Sequence, residues 1–97
     1  MRALFFTHCS ATKDDQLKGT GITVTPCELY RARFVQGFCE KCKSLGVTFA
    51  IFSDLHAFVF PAQKIEWYDK HPSEVLYNER AKNELFGKAL STLREFD

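Results

Sequence analysis

Cys9, Asp54 and His56 are the residue types of a thiol enzyme: a sulfur nucleophile, a carboxylate that orients an imidazole, and the imidazole that takes the thiol proton. Ser10 and Ser53 add hydroxyls beside them. The same serines and aspartate are also residues that cap turns through local hydrogen bonds, and His56 equally suits a half-buried histidine bonded to a carbonyl. A Cys-loop phosphatase is excluded, because SATKDDQ follows Cys9 and contains no arginine to close the loop. Cys39-Glu40-Lys41-Cys42 has the spacing of half a zinc site or of a redox pair, but no second ligand pair matches it. Core packing is the expected role of both cysteines. Lys18-Gly-Thr-Gly-Ile-Thr23 has neither a dinucleotide fingerprint nor a phosphate-loop ending, so the sequence points to no cofactor and no metal.

Thirteen Lys and Arg against twelve Asp and Glu leave a net charge of +1, which gives no overall field for nucleic acid or an anionic membrane. No apolar run approaches the ~18 residues of a membrane span. The apolar tract of MRALFFTHCS is too short for a signal peptide, so a cytoplasmic protein with four reduced thiols is expected. Ten phenylalanines are a large apolar payload for one small domain, and part of that surface suits a subunit interface.

The elements that would carry these residues follow from periodicity. Residues 2–7, RALFFT, read as a buried strand that stops at His8-Cys9-Ser10. Residues 11–26 form a long polar loop. From Glu28 the period becomes helical: Tyr30, Phe34, Phe38, Cys42 and Leu45 recur at three or four, with Val35 and Cys39 widening the stripe. Thr25-Pro26 opens this helix and Gly46 ends it. VTFAIFS, residues 47–53, is β-branched and aromatic and reads as a second buried strand. Strand, crossover helix and strand make a βαβ unit with parallel strands. Residues 54–72 are irregular, with a short strand near Ile65 to Tyr68. A second helix from Pro72-Ser73 turns Tyr77, Ala81, Leu85, Phe86, Ala89, Leu93 and Phe96 inward. The expectation is one α/β domain over 1–97, in two or three layers, with a short, mainly parallel sheet and two long helices.

In such a sheet, ligands bind outside the carboxyl ends of the strands. That edge collects His8, Cys9 and Ser10 from the first strand and Ser53, Asp54 and His56 from the second. The first helix runs back from the same edge, bringing its N-terminus with Cys27, Glu28 and Tyr30, and unpaired N–H groups there favour an anion. The break in the apolar run IFSDLHAFVF is thus where a strand reaches a crevice.

On these residues the chain resembles a family of small α/β domains of unknown function. Cys9-Ser10 with Lys13 fits its first motif, Pro26, Leu29, Tyr30 and Phe34 its second, and Ser53, Phe58, Val59 and Pro61 followed by Tyr68-Asp69 its third. The match runs in order over roughly residues 3–69. The chain departs where the family has Gly and it has Ala57, which predicts that the backbone there avoids a positive φ, and where the family has Ala and it has Asp54. Family members continue past the second helix into another strand, so an open sheet edge is expected. More distantly, a helix opening with Pro-Cys and then a Tyr is similar to the core of archaeosine synthase, whose fold is like that of uracil-DNA glycosylases. The resemblance implies no established activity, but it points to a nucleobase or nucleotide ligand. It also makes Lys13 a phosphate-binding group or, if desolvated, a nucleophile.

Two readings result. In one, the domain binds a nucleotide or nucleobase: Ser10 and Lys13 hold phosphate, Tyr30 or Tyr68 stacks on the base, and Cys9, Ser53, Asp54 and His56 complete the site. In the other, it is a non-catalytic module that forms a homo-oligomer through its Phe-rich surface or open edge.

Overall fold

A computed structural model describes residues 3–69 and 78–96. The elements in order are β1 (Phe5–His8), a 3-10 turn (Asp15–Leu17), β2 (Thr23–Val24), α1 (Pro26–Leu29), α2 (Arg33–Leu45), β3 (Phe49–Ser53), β4 (Ala57–Val59), β5 (Ile65–Glu66) and α3 (Glu79–Arg94). The main sheet has the order β1-β3-β4, and β2 pairs with β5 in a separate antiparallel ribbon. β1 and β3 are parallel with Phe6 opposite Ala50 and His8 opposite Phe52, as the crossover requires. β3 and β4 are antiparallel, with Ser53 opposite Ala57. The domain is therefore α/β with a mixed sheet, not a mainly parallel one.

β3 is the buried strand that its composition demands, since Ala50, Ile51 and Ser53 are inaccessible to solvent. β1 differs from expectation. It lies at the sheet edge, and Phe5 and Phe6 are half exposed. Apolar composition fits either position, because only the pairing of strands decides which one is covered on both flanks.

The first helix is also interrupted. Arg31 N–H donates to Thr12 C=O (2.8 Å) and Asp14 N–H donates to Leu29 C=O (2.9 Å), so residues 29–31 pair with the preceding loop as a short antiparallel bridge centred on Lys13 and Tyr30. Those backbone groups are then unavailable to a continuous helix. α1 ends at Leu29 and α2 starts at Arg33, running to the predicted stop at Gly46, whose φ of 66° is the left-handed cap conformation. The buried face of α2 is Val35, Cys39 and Cys42, with Phe38 packed against it, whereas Phe34 and Leu45 are exposed.

The break has a covalent consequence. Cys27 and Cys39 form a disulfide that staples α1 to α2, so two of the four expected free thiols are paired, and Cys39 is partnered by Cys27 and not by Cys42.

The sheet separates two cores. On one face Leu29, Tyr30, Val35, Phe49 and Ile51 pack with the disulfide. On the other, Ala50 and Phe58 pack with Leu85 and Ala89 of α3. Asn78 caps α3 by accepting from Ala81 N–H (3.1 Å). Of the residues expected to face inward, Leu85 and Ala89 do, while Phe86 and Leu93 remain exposed because α3 lies over β4 and leaves the β1 side of this face uncovered. The expected helix start at Pro72-Ser73 and the inward position of Tyr77 lie outside the described residues. No described helix is long and apolar enough to cross a membrane.

Candidate functional site

β1 and β3 end side by side because Cys9 N–H extends their ladder by donating to Phe52 C=O (2.8 Å). Beyond those ends lies a cavity of about 270 Å³ lined by His8, Cys9, Ser10, Ala11, Lys13, Asp54 and Tyr68. The strand-end crevice expected from sequence is therefore present. Five of the eight residues expected to bind a ligand, Cys9, Ser10, Lys13, Asp54 and Tyr68, line it.

Ser53 and Tyr30 lie behind Tyr68. The Tyr68 hydroxyl bonds Ser53 Oγ (2.7 Å) and also the Tyr30 hydroxyl. Ser53 Oγ in turn accepts from Leu55 N–H and His56 N–H, both at 3.1 Å, so it caps the β3–β4 turn as well as supporting the site. Tyr30 is fully buried and cannot stack on a base. Burial pushes its phenol up to about 12, and burial together with the neighbouring Tyr30 raises the Tyr68 phenol further, so both are neutral hydroxyls at ordinary pH.

Lys13 sits with Nζ 4.7 Å from the centre of the Tyr68 ring, which makes a cation–π contact and covers that face. Asp54 lines the same cavity, with Oδ2 accepting weakly from the Cys9 thiol at 3.9 Å. Lys13 and Asp54 line one cavity, yet among the described residues no ion pair joins them. Burial pushes the Cys9 thiol up, and the Asp54 charge adds to this. The Asp54 backbone N–H, the Tyr68 hydroxyl and the Lys13 ammonium act in the opposite direction. The Ser10 proton is committed to Thr12 C=O (2.8 Å), which holds the turn after β1.

His56 is not part of this group. Its ring packs edge-on against Tyr68 at 5.4 Å, in a separate open cleft with Leu55, Ile65 and Trp67, and no hydrogen bond joins it to Cys9. Burial, then the Lys88 charge, lowers its pKa. The Cys9–His56–Asp54 arrangement of a thiol enzyme is thus not assembled. The N-terminus of α1 does not reach the cavity: the Glu28 carboxylate reaches back to Thr25 N–H (3.3 Å) and Thr25 Oγ1 (2.7 Å), and neither Cys27 nor Glu28 lines the cavity.

Two structural features had little sequence signal. Gln36 stands among the polar residues of α2, yet its Nε2 donates to Cys27 C=O (2.7 Å) and to Tyr30 C=O, fixing the helix break that places Tyr30. Ala57 has a φ of 62°, against the expectation that alanine here avoids that region, because the hairpin after Asp54 must turn left-handed to return as β4. Among the described residues no cluster of three or more His, Cys, Asp or Glu is placed to hold a metal. Comparison with protein-family models, curated proteins and solved structures finds no match for the chain.

Proposed function

We propose that the domain binds a nucleotide or nucleobase in the cavity at the carboxyl ends of β1 and β3. The observation that carries this reading is the juxtaposition in one cavity of the Lys13 ammonium and the Asp54 carboxylate, neither in an ion pair among the described residues. A lysine not tied up in a direct ion pair suits phosphate, and a carboxylate acceptor in the same cavity suits the N–H groups of a base or the hydroxyls of a ribose. The strand-end position is where open α/β sheets place ligands. The distant resemblance of Pro26-Cys27 and Tyr30 to the archaeosine synthase core adds the nucleobase chemistry, and a link to nucleic-acid modification rests on that resemblance alone. Calorimetric titration with nucleotides, nucleobases and single-stranded nucleic acid tests it. Binding that is weakened at least tenfold by Lys13→Met or Asp54→Asn supports the reading, and no heat or thermal stabilisation from any of them rejects it.

A second reading is favoured by a different observation. An apolar groove of about 440 Å³ runs between the sheet and α3, lined by Phe6, Phe52, Phe58, Phe86, Leu90 and Leu93 together with Ala89. Phe86, Leu90 and Leu93 recur at four and three on α3, forming a ridge beside the trough over Phe6 and Phe52. A ridge next to a trough is self-complementary under a two-fold axis, so the occupant is a second copy of this chain. Phe6, Phe86, Leu90 and Leu93 are each 40–54% exposed. Large apolar side chains of this kind then offer ~400 Å² per protomer, or ~800 Å² for a pair, so a dimer also needs the rim around them to reach the ~1,000 Å² of a specific interface. Sedimentation velocity over a dilution series decides: a dimer that Leu90→Glu converts to a folded monomer supports this reading, and a monomer at every concentration removes it.

A further inference from the structure

The partners of the three hydroxyls beneath the cavity constrain where their protons go. A serine hydroxyl has one proton and two lone pairs. Both lone pairs of Ser53 are taken by Leu55 N–H and His56 N–H, so its proton points to the Tyr68 oxygen. Tyr30 is fully buried; its hydroxyl bonds Tyr68, and its other hydroxyl neighbour, Ser53, has no lone pair left to accept from it. Were Tyr68 to donate to Tyr30, the Tyr30 proton would have no acceptor in a site without solvent, the costly outcome for a buried donor. Tyr30 therefore donates, Tyr68 accepts from both neighbours, and the proton of Tyr68 is left for the cavity that its ring lines, where the Cys9 thiol, a weak acceptor, is its neighbour until a ligand takes it. Two donors on one phenol oxygen also polarise its O–H, because hydrogen bonds in a chain strengthen one another.

We infer that Tyr68 is the ligand's oxyanion-binding donor: its hydroxyl, aimed by Ser53 and Tyr30, and the Lys13 ammonium on its ring together take a phosphate or carboxylate group. Tyr30 is the positioning residue behind it. This rests on the nucleotide reading for the choice of phosphate, and it changes the role of the two tyrosines from base stacking to hydrogen bonding. Lys13 occupies one face of the Tyr68 ring and His56 meets it edge-on, which leaves the hydroxyl as its means of recognition. Asp54, beside Cys9, then faces the donor-bearing remainder of the ligand.

The test is calorimetric titration of the full chain and of Tyr68→Phe with inorganic phosphate, a nucleoside 5′-monophosphate, the same nucleobase without phosphate, and malonate. The expected result is that Tyr68→Phe weakens both phosphate-bearing probes on the order of tenfold, the loss of one hydrogen bond to a charged group, and leaves the bare nucleobase unchanged. Nucleotide binding that Tyr68→Phe does not alter, or a bare nucleobase weakened as much as the nucleotide, overturns the inference while the nucleotide reading stands. Malonate bound in a Tyr68-dependent way with no nucleotide bound sustains the oxyanion assignment and removes the nucleotide reading. No binding by any probe rejects both. Should Tyr68→Phe not fold, Tyr30→Phe replaces it: it keeps the cavity donor but removes one of its polarising partners, and roughly a twofold to threefold loss for phosphate probes alone is expected. An equal loss for the bare nucleobase overturns the inference here too.

Discussion

The two faces of the central sheet are built from the same strands and are finished differently. The face under α1 and α2 is closed: Leu29, Tyr30, Val35 and Ile51 have no accessible surface, and a disulfide and a hydroxyl network cross it. The face under α3 buries Phe58, Leu85 and Ala89 but leaves Phe6, Phe86, Leu90 and Leu93 half in water. Polar chemistry gathers at the rim of the closed face, because neutral hydroxyls and a lysine held over the Tyr68 ring keep their geometry only where the packing around them is fixed. The groove of the open face has area to offer, and its described lining is apolar.

If the closed face owes its rigidity to the staple, removing the staple is the largest single perturbation. The Cys27–Cys39 bond spans 12 residues. Closing a loop of that length stabilises by about 3 kcal/mol, so Cys27→Ala with Cys39→Ala is expected to lower the melting temperature by roughly 15 °C. Under denaturing, non-reducing conditions a thiol assay should count two free cysteines, Cys9 and Cys42. A count of four would dissolve the contrast between the faces.

That bond also shows what the amino-acid pattern carries and where it stops. VTFAIFS announces a buried central strand because every residue suits one, and the stripe of α2 with Gly46 at its end announces a helix and its stop. The apolar period, however, passes through Tyr30 without interruption. On an unbroken helix Cys27 and Cys39 would stand ~18 Å apart, beyond any disulfide. Their Cα atoms are 6.3 Å apart because the backbone of residues 29–31 pairs with Thr12 and Asp14, a contact between segments that no local period reveals. The site follows the same division. Cys9, Ser10, Ser53 and Asp54 were legible as strand-end residues. His56 was not, because the left-handed step at Ala57 closes a turn that carries its side chain past Tyr68 into the other cleft.

The next perturbation distinguishes the hub of the hydroxyl network from its periphery. Tyr68→Phe strands the protons of Ser53 and Tyr30 in a buried site, and about 2 kcal/mol of stability is expected to go with them. Tyr30→Phe strands nothing, because Tyr68 keeps Ser53 as donor and the cavity for its own proton, and should cost under about 1 kcal/mol. Urea unfolding of the two variants compares them directly. Equal losses would place the hub elsewhere.

A smaller difference is expected between two alanines. Ala57→Gly relieves a left-handed alanine, worth ~1–2 kcal/mol, and this offsets the added freedom of glycine and the lost methyl, so near-neutral stability is expected. At Ala50, buried in β3 on the α3 face, the same exchange has no strain to relieve and should cost about 2 kcal/mol. If both cost alike, the hairpin that places Asp54 is not under strain.

The smallest effect expected is one of pH, and it probes the junction between the faces, where His56 touches Tyr68 on one side and feels Lys88 of α3 on the other. Burial, reinforced by the Lys88 charge, lowers its pKa in the folded chain below the ordinary value near ~6.5. As pH falls through that value the unfolded chain takes up a proton that the folded chain still refuses, so stability declines. The decline ends once pH passes below the folded-state pKa, where both states are protonated. Lys88 provides the means of separating the two causes. Lys88→Gln removes the charge but leaves the burial, so it should shrink the slope without abolishing it, whereas His56→Gln should abolish this contribution. Stability profiles between pH 8 and pH 5 for the three chains, measured by urea unfolding at constant ionic strength, make the comparison. A slope untouched by His56→Gln would mean that the junction is tuned by another group, and a slope abolished by Lys88→Gln would mean that α3, and not the closed face, sets the state of this imidazole.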